Sequence, residues 1–131
     1  MHNSLTNKQR TTVSIGGATI DLFVRLKEDT EKKVIQNNAF ALPLGEKLSL
    51  RSAQEFCGGG ASNTSVGLAR LGCSSRFIGI LASDSWGELQ KKTLEREHVS
   101  TQHAVIVEGE TSGFSLILLP ENGERTIRSP G

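Results

Sequence analysis

Residue types that mark several common functional classes are scarce in this sequence of 131 residues. It has no tyrosine and only 5% aromatic residues, too few for the base-stacking platforms that hold single-stranded nucleic acids. Fifteen basic and fourteen acidic residues leave a formal net charge of +1, so the basic surface typical of proteins that bind nucleic acids or anionic membranes is missing. We therefore expect neither nucleic acid nor a membrane among the partners.

Long apolar runs and metal-binding patterns are also missing from the sequence. No stretch approaches the roughly 18 apolar residues of a membrane span, and residues 1–12 lack the apolar segment of a secretory signal, which favours a cytoplasmic protein. Cys57 and Cys73 form neither a CxxC pair nor a metal-ligand spacing, so we expect buried, reduced thiols. His98 and His103 have no second group of ligands nearby in the sequence, and no metal site is expected.

Hydrophobic periodicity predicts alternating strands and helices in the first three quarters of the chain. The predicted elements are, in order, a disordered tail (1–11), a buried strand with an excursion at its glycines (13–26), a charged turn (28–33), two strands joined as a hairpin (34–42 and 48–56), a helix (57–71), a strand (76–82) and a second helix ending near His98. Ser62 or Asn63 is expected to cap the first helix, and Gly72 to end it. Ser85 and Glu88 have the form of a capping box for the second helix.

The last third of the sequence favours strands over helices. Strands are predicted at 104–107 and 114–119, followed by a hairpin turn at Asn122-Gly123 and a further strand at 125–129. The whole pattern offers two strands suited to a parallel sheet and two helices, which is too little to cover both faces of such a sheet. We therefore expect an α/β fold that is incomplete as given.

The densest motif is the run Gly58-Gly59-Gly60-Ala61-Ser62-Asn63 at the start of the first predicted helix. Glycines allow a ligand to approach the backbone, and a helix start offers unpaired N–H groups. The run lacks the Gly-Lys-Ser/Thr of a phosphate-binding P-loop, and Asn63 stands where a dinucleotide fingerprint has its third glycine. A ligand site and a purely structural turn with a helix cap both fit the glycines alone.

The whole run resembles the amino-terminal signature of the ribokinase-like (PfkB) carbohydrate kinase family. That signature has two glycines, a spacer, a small residue, any residue and then asparagine, and residues 58–63 match it in order. It continues with a small residue and a later glycine, which Ser65 and Gly72 match. Where the family has a glycine ten positions further on, this sequence has Ala82.

Other segments resemble the same family, so that the similarity extends over residues 13–131. Residues 16–21 are similar to the family's first strand, which ends in an aspartate facing the sugar. Segment 34–56 is similar to its first pair of lid strands, and residues 110–115 and 122–126 are similar to its second pair and the return to the core. We therefore expect lid strands at about 34–56 and 104–119. The resemblance implies that residues 12–131 are the amino-terminal part of a ribokinase-like kinase domain, with part of a central parallel sheet, its helices and a small β-sheet lid.

The resemblance implies a substrate site made of Asp21, Gly59, Gly60 and Asn63. A carboxylate at the end of a strand in an α/β protein lies where ligands bind, and it can accept hydrogen bonds from two sugar hydroxyls; for Asp21 alone, a turn-capping role is the alternative. The Asn63 amide suits a polyol, and helix capping is compatible with that role. Position 60 is often lysine in the ribokinase branch, so Gly60 leaves the identity of the sugar open.

The family transfers the γ-phosphoryl group of ATP to a hydroxymethyl group of a sugar or nucleoside with the help of Mg²⁺. Its base is an aspartate in a Gly-Ala-Gly-Asp motif, which this sequence lacks. We therefore expect no catalytic residue here, the ATP and Mg²⁺ sites beyond Gly131, and no activity from these residues alone. The alternatives are a nucleoside kinase of the same family and a non-catalytic module that binds sugar or forms a homodimer through its lid.

Overall fold

The computed structural model describes residues 9–37, 39–121 and 123–129, which form two compact units. The first unit contains the described residues up to Thr19 together with Cys57–Ser112, and the second contains Ile20–Phe56 and the described residues from Gly113 onward. Most of the predicted tail and the centre of the predicted turn at Asn122 lie outside the described residues. Within the described part of that tail, Thr11 already belongs to a strand.

The described residues form eleven strands and three helices. The strands are β1 (Thr11–Ile15), β2 (Thr19–Leu26), β3 (Ile35–Gln36), β4 (Ala39–Phe40), β5 (Leu50–Gly58), β6 (Ser74–Ile78), β7 (Ile80–Ala82), β8 (Val99–Ser100), β9 (Val105–Val107), β10 (Phe114–Leu119) and β11 (Thr126–Arg128). The helices are α1 (Glu28–Val34), α2 (Gly60–Arg70) and α3 (Ser85–Arg96).

The first unit is a parallel sheet with helices packed on it. Its strands lie in the order β1-β6-β8, all parallel, and β7 and β9 form a second parallel pair. Helix α2 packs on β1 and β6, and α3 packs on β7 and β8. The core between them consists of five buried side chains: Ala61, Phe77, Leu81, Leu94 and Val99. The expected parallel sheet with helices is therefore confirmed.

One face of this sheet keeps apolar side chains exposed. On β1, Ser14 is buried, whereas its neighbours Val13 and Ile15 are 50% and 75% exposed. Adjacent strand residues point to opposite faces, so the apolar side chains of β1 lie on the exposed face. Parallel sheets normally have both faces covered, which agrees with the expectation that two helices are too few for this sheet.

The second unit is a small mixed sheet in the order β11-β10-β2-β5. Strand β10 runs parallel to β2 and antiparallel to β11, which confirms the predicted strand that follows β10 and pairs with it. Helix α1 and the short β3–β4 hairpin supply side chains that pack with one face of the sheet. The cluster comprises buried Val24, Leu26 and Val34, with Phe40, Leu116 and Leu118 against them.

The prediction of a charged turn at 28–33 is wrong, because these residues form helix α1. Acidic residues fill its first turn and Lys32 and Lys33 its last turn, an arrangement that favours the helix dipole at both ends. Lys32 also donates to Glu28 at 2.6 Å, while Thr30 and Val34 supply a buried face with the spacing of one helical turn.

Two of the predicted strand arrangements also differ from the structure. Residues 34–42 and 48–56 do not form a hairpin: β3 pairs with β4, and β5 lies beside β2. Residues 104–107 were expected in the lid but form β9, which pairs with β7 in the first unit. Local alternation predicts that a segment is a strand but does not specify its partner, which tertiary packing decides.

Glycines divide two other predicted strands. Segment 13–26 is two strands in different sheets, separated at Gly16 and Gly17, and segment 76–82 is divided at Gly79. A Cβ at Gly79 would lie 2.3 Å from the Gly16 carbonyl oxygen, and the Gly16 N–H donates to the Ile78 carbonyl at 3.0 Å. Because backbone packs directly on backbone here, position 79 has no room for a side chain.

Replacing Gly79 by alanine is expected to lower the free energy of unfolding by about 2 kcal/mol, the scale of core overpacking. Gly67 is the matched control, because it lies exposed within α2 and an added Cβ meets nothing within 4 Å. Gly67→Ala should raise the free energy of unfolding by about 0.5–1 kcal/mol through helix propensity. Urea denaturation measures both changes, and equal effects of the two substitutions would contradict the proposed close packing.

Candidate functional site

The start of helix α2 brings together three of the four predicted site residues. Gly59 has a φ of +98° and serves as the helix cap residue, with no side chain capping the helix. A Cβ at Gly59 would lie 2.5 Å from the Gly17 carbonyl oxygen and 2.6 Å from the Ala18 Cα. The β1–β2 connection therefore lies directly against the helix start. Only glycine can adopt this positive φ and leave room for the neighbouring backbone.

Gly60 and Asn63 are presented by this turn. Gly60 is the first residue of α2, and the Asn63 N–H donates to the Gly59 carbonyl at 2.9 Å. The Asn63 side chain is exposed. The predicted capping by Ser62 or Asn63 is wrong, since both lie inside the helix and Ser62 is buried. Gly72 follows the helix end at a φ of +87°, as predicted.

Asp21, the fourth predicted residue, belongs to the second unit. It is the third residue of β2 rather than the end of a strand, which corrects the expected position. In the parallel pairing of β2 with β10 it lies beside Ser115. Its carboxylate lines an open cleft of about 440 Å³ on the sheet, so it is accessible to a ligand.

The same cleft is lined by residues that the sequence analysis did not identify. Besides Asp21, the lining consists of Phe23, Arg25, Gln54, Phe56 and Leu119. The Phe23 and Phe56 rings meet edge to face, with centroids 5.4 Å apart at 86°, a favourable geometry for aromatic pairs. The alternation of side chains along a strand could have indicated Phe23 and Arg25, since residues 21, 23 and 25 share one face of β2.

Asp84, directly before α3, is a further acidic residue that could act as a base. Its Oδ1 accepts from the Gly87 N–H at 2.8 Å and the Ser112 hydroxyl at 2.6 Å, and its Oδ2 accepts from the Ser112 N–H at 2.8 Å. The Ser112 hydroxyl, then the Ser112 and Gly87 N–H groups, lower the pKa of Asp84 below its ordinary value. Its carboxylate holds the segment before β10 against the start of α3.

Asp84 is thus the cap of α3, and the predicted capping role of Ser85 is wrong. On the same helix, Glu88 and Lys92 form an ion pair at 3.9 Å. Asp84 is a structural residue because its oxygens are already occupied by donors.

The cysteines and metal-binding residue types form no site within the described part of the chain. Cys57 and Cys73 are free thiols, as expected, but both are partly rather than fully buried. Across residues 9–37, 39–121 and 123–129, no three His, Cys, Asp or Glu side chains converge in a way that would hold a metal ion. None of the helices there has the length and apolar character needed to cross a membrane.

Replacing Asp84 by alanine is expected to lower the free energy of unfolding at pH 7 by about 2–3 kcal/mol, through loss of the cap and of charge-assisted hydrogen bonds. Because the folded pKa of Asp84 is lowered, its contribution is complete above about pH 4 and is lost as the pH falls through that lowered pKa. Chemical denaturation of both proteins between pH 7 and pH 2.5 measures the difference.

The exposed Glu88 of the same helix provides the control, and Glu88→Gln should change the free energy of unfolding by less than about 0.5 kcal/mol. A difference between Asp84→Ala and the parent that stays constant over the whole pH range would show that the carboxylate's charge has no part in the stabilisation.

Curated relatives match between half and two thirds of the chain. A fructokinase of Salmonella typhimurium is 38% identical over 72 residues, which cover 54% of this chain and 24% of the relative. A ribokinase of Haemophilus influenzae is 34% identical over 83 residues, covering 63% of this chain and 27% of the relative. The chain therefore spans about a quarter of the length of these relatives.

Solved structures match nearly the whole chain. The ribokinase of Arabidopsis thaliana complexed with ribose and ATP has a TM-score of 0.76 at 22% identity, over 93% of this chain and 36% of that one. The ribokinase of Cryptococcus neoformans in complex with ADP has a TM-score of 0.69 at 26% identity, over 93% and 34%. The family model for pfkB family carbohydrate kinases matches residues 9–129. The chain belongs to the pfkB family of carbohydrate kinases.

Proposed function

We propose that this chain forms the acceptor-binding part of an ATP-dependent sugar kinase, which transfers the γ-phosphoryl group of ATP to a sugar hydroxymethyl group. The observation that carries the proposal is the Asp21 carboxylate, which lines an open cleft together with an aromatic pair. Family membership supports the kinase class, and the fructokinase and ribokinase relatives support a monosaccharide acceptor.

The side chains of the cleft suit a sugar. Asp21 can accept hydrogen bonds from two hydroxyl groups, which are charge-assisted and therefore strong. The Phe23 and Phe56 rings provide apolar surface for the C–H groups of the sugar ring, in the mixture of apolar walls and few polar anchors typical of ligand sites. The family signature implies that Asn63 and the backbone of Gly59 and Gly60 bind the acceptor as well.

ATP and Mg²⁺ are the proposed cosubstrate and metal, and the solved relatives with bound ATP or ADP support the nucleotide. In phosphoryl transfer the metal neutralises charge that develops on the phosphates. The described residues do not fit that role, since no group of carboxylates converges among them and Asp84 is occupied by hydrogen bonds. We therefore assign neither the metal nor the base to residues of this chain.

The sheet of the second unit is the proposed lid. In the family arrangement such a sheet closes over the acceptor and excludes water, which limits wasteful hydrolysis of ATP. Pairing of two lids in a homodimer is part of the same proposal, as is a cytoplasmic location.

A nucleoside kinase of the same family is the second candidate. The observation that favours it is the half-exposed ring of Phe56, which is 52% accessible and can stack on a base. The shape of the acceptor distinguishes the two candidates, because a nucleoside carries a flat aromatic base and a simple sugar does not.

In the full-length protein, Asp21→Asn is expected to weaken sugar binding by about 2–4 kcal/mol, because charge-assisted hydrogen bonds to two hydroxyls are lost. ATP affinity should stay nearly unchanged. Calorimetric titration with ribose, fructose and a nucleoside panel measures both, and Glu46→Gln, an exposed acid of the same unit, serves as the control. Equal sugar affinity of the Asp21 variant and the parent would reject the assignment.

The 131-residue chain expressed alone is expected to release no ADP from ATP when sugar is added, because its sequence has no Gly-Ala-Gly-Asp motif and Asp84 already accepts three hydrogen bonds. A coupled ADP assay on the purified chain, with the full-length protein as the positive reference, measures this. Sugar-dependent turnover by the chain alone would require a base among its own residues, and sugar binding without turnover by the full-length protein would favour the non-catalytic module.

A further inference from the structure

The cleft on the second unit's sheet contains a positively charged side chain that is not needed to bind sugar hydroxyls. Arg25 lines the cleft and its side chain is exposed. Within the described ranges of the chain, no carboxylate pairs with its guanidinium, whereas Arg51 of the same sheet bonds to Glu121 at 2.9 Å. An arginine in a ligand-sized cleft without a protein anion nearby is available for an anion supplied by the ligand.

The strand register places this cation at a defined distance from Asp21. Asp21 lies beside Ser115 and Arg25 beside Leu119 on β10, so the two residues are four positions apart along β2. This corresponds to about 13 Å between their Cα atoms, a span that the long arginine side chain shortens. The Phe23–Phe56 pair lies between the two charged ends.

The cleft thus has a hydroxyl-accepting end, an apolar middle and a cationic end. A neutral sugar would use the first two and leave the guanidinium in water. The arginine fork matches the oxygens of phosphates and carboxylates, with two parallel hydrogen bonds, and it stays charged at every physiological pH.

We propose that the acceptor is an anionic monosaccharide, a sugar phosphate or a sugar acid, whose anionic group binds Arg25. The proposal rests on the proposed function, because it requires Asp21 to bind hydroxyls of the same molecule. Arg25 is then the residue that determines the charge preference of the site.

The test compares each neutral sugar with anionic sugars that keep a free hydroxymethyl group: fructose with fructose 1-phosphate and fructose 6-phosphate, ribose with ribose 1-phosphate, and 2-keto-3-deoxygluconate as the sugar acid. Calorimetry on the full-length protein is expected to show at least one anionic probe binding tenfold or more tightly than its neutral counterpart. Tight binding by phosphates alone or by the acid alone identifies the anionic group, and either result supports the proposal.

Arg25→Gln is expected to raise the Kd of the preferred anionic probe by about 10- to 100-fold, the scale of a charged hydrogen-bonded contact. The Kd of the neutral sugars should change by less than about threefold. Arg25→Lys, which keeps the charge but not the fork, should lie between the two. Arg51→Gln, at the ion-paired arginine of the same sheet, is the matched control and should change neither.

Two outcomes overturn the proposal: neutral sugars bind as tightly as the anionic probes, or Arg25→Gln weakens both kinds equally while its thermal midpoint stays that of the parent. The sugar affinities of the Asp21→Asn variant show whether only the role of Arg25 is wrong or the proposed function as well. If Asp21→Asn weakens all sugars and Arg25→Gln shows no charge selectivity, only the inference about Arg25 is wrong. If Asp21→Asn changes no affinity, the proposed acceptor site itself is rejected and this inference with it.

Discussion

Direct contact of backbone with backbone determines the geometry of the first unit. The connection between β1 and β2 touches Gly79 on one side and Gly59 on the other, and a single added carbon at either position would overlap a carbonyl group. Flexible side chains at such contacts would adjust to neighbouring changes, whereas main-chain atoms held by sheet hydrogen bonds do not. The start of α2 is therefore fixed relative to β1 and β6, and with it the positions of Gly60 and Asn63.

Asp84 and Asp21 have the same side chain, but their surroundings give them different roles. Asp84 is surrounded by donors from Gly87 and Ser112, which lower its pKa and use its oxygens for structure. Asp21 lines an open cleft beside aromatic rings. In a search for ligand-binding carboxylates, accessibility and unoccupied acceptor positions are therefore more informative than the presence of an acidic residue in a loop.

Much of the first unit could be predicted from the sequence, because its signals are local. Helix α2 and its end at Gly72 follow from a glycine run, an apolar face and a positive-φ residue, all within 15 residues of one another. The caps were harder, since Gly59 caps by its backbone conformation and Asp84 precedes the serine that fits the capping-box pattern.

The second unit was less predictable because its sheet joins segments distant in sequence. Alternation identified 48–56 as a strand, but nothing local indicates that β5 lies beside β2 or that β10 runs parallel to β2. Without that pairing, Phe56 has no visible relation to Asp21, and the cleft cannot be anticipated. Helix α1 was missed because seven mostly charged residues have little apolar periodicity.

Position 60 has room for a side chain, whereas position 59 does not. Gly60 lies in ordinary helical geometry at the start of α2, and a Cβ built there meets no atom within 4 Å. A mutation at this codon would thus introduce a new side chain beside Asn63 without disturbing the fold, while Gly59, one position earlier, tolerates no such change. In the proposed acceptor site, a single substitution at position 60 would therefore change the surface offered to the acceptor while the backbone contacts of Gly59 stay in place.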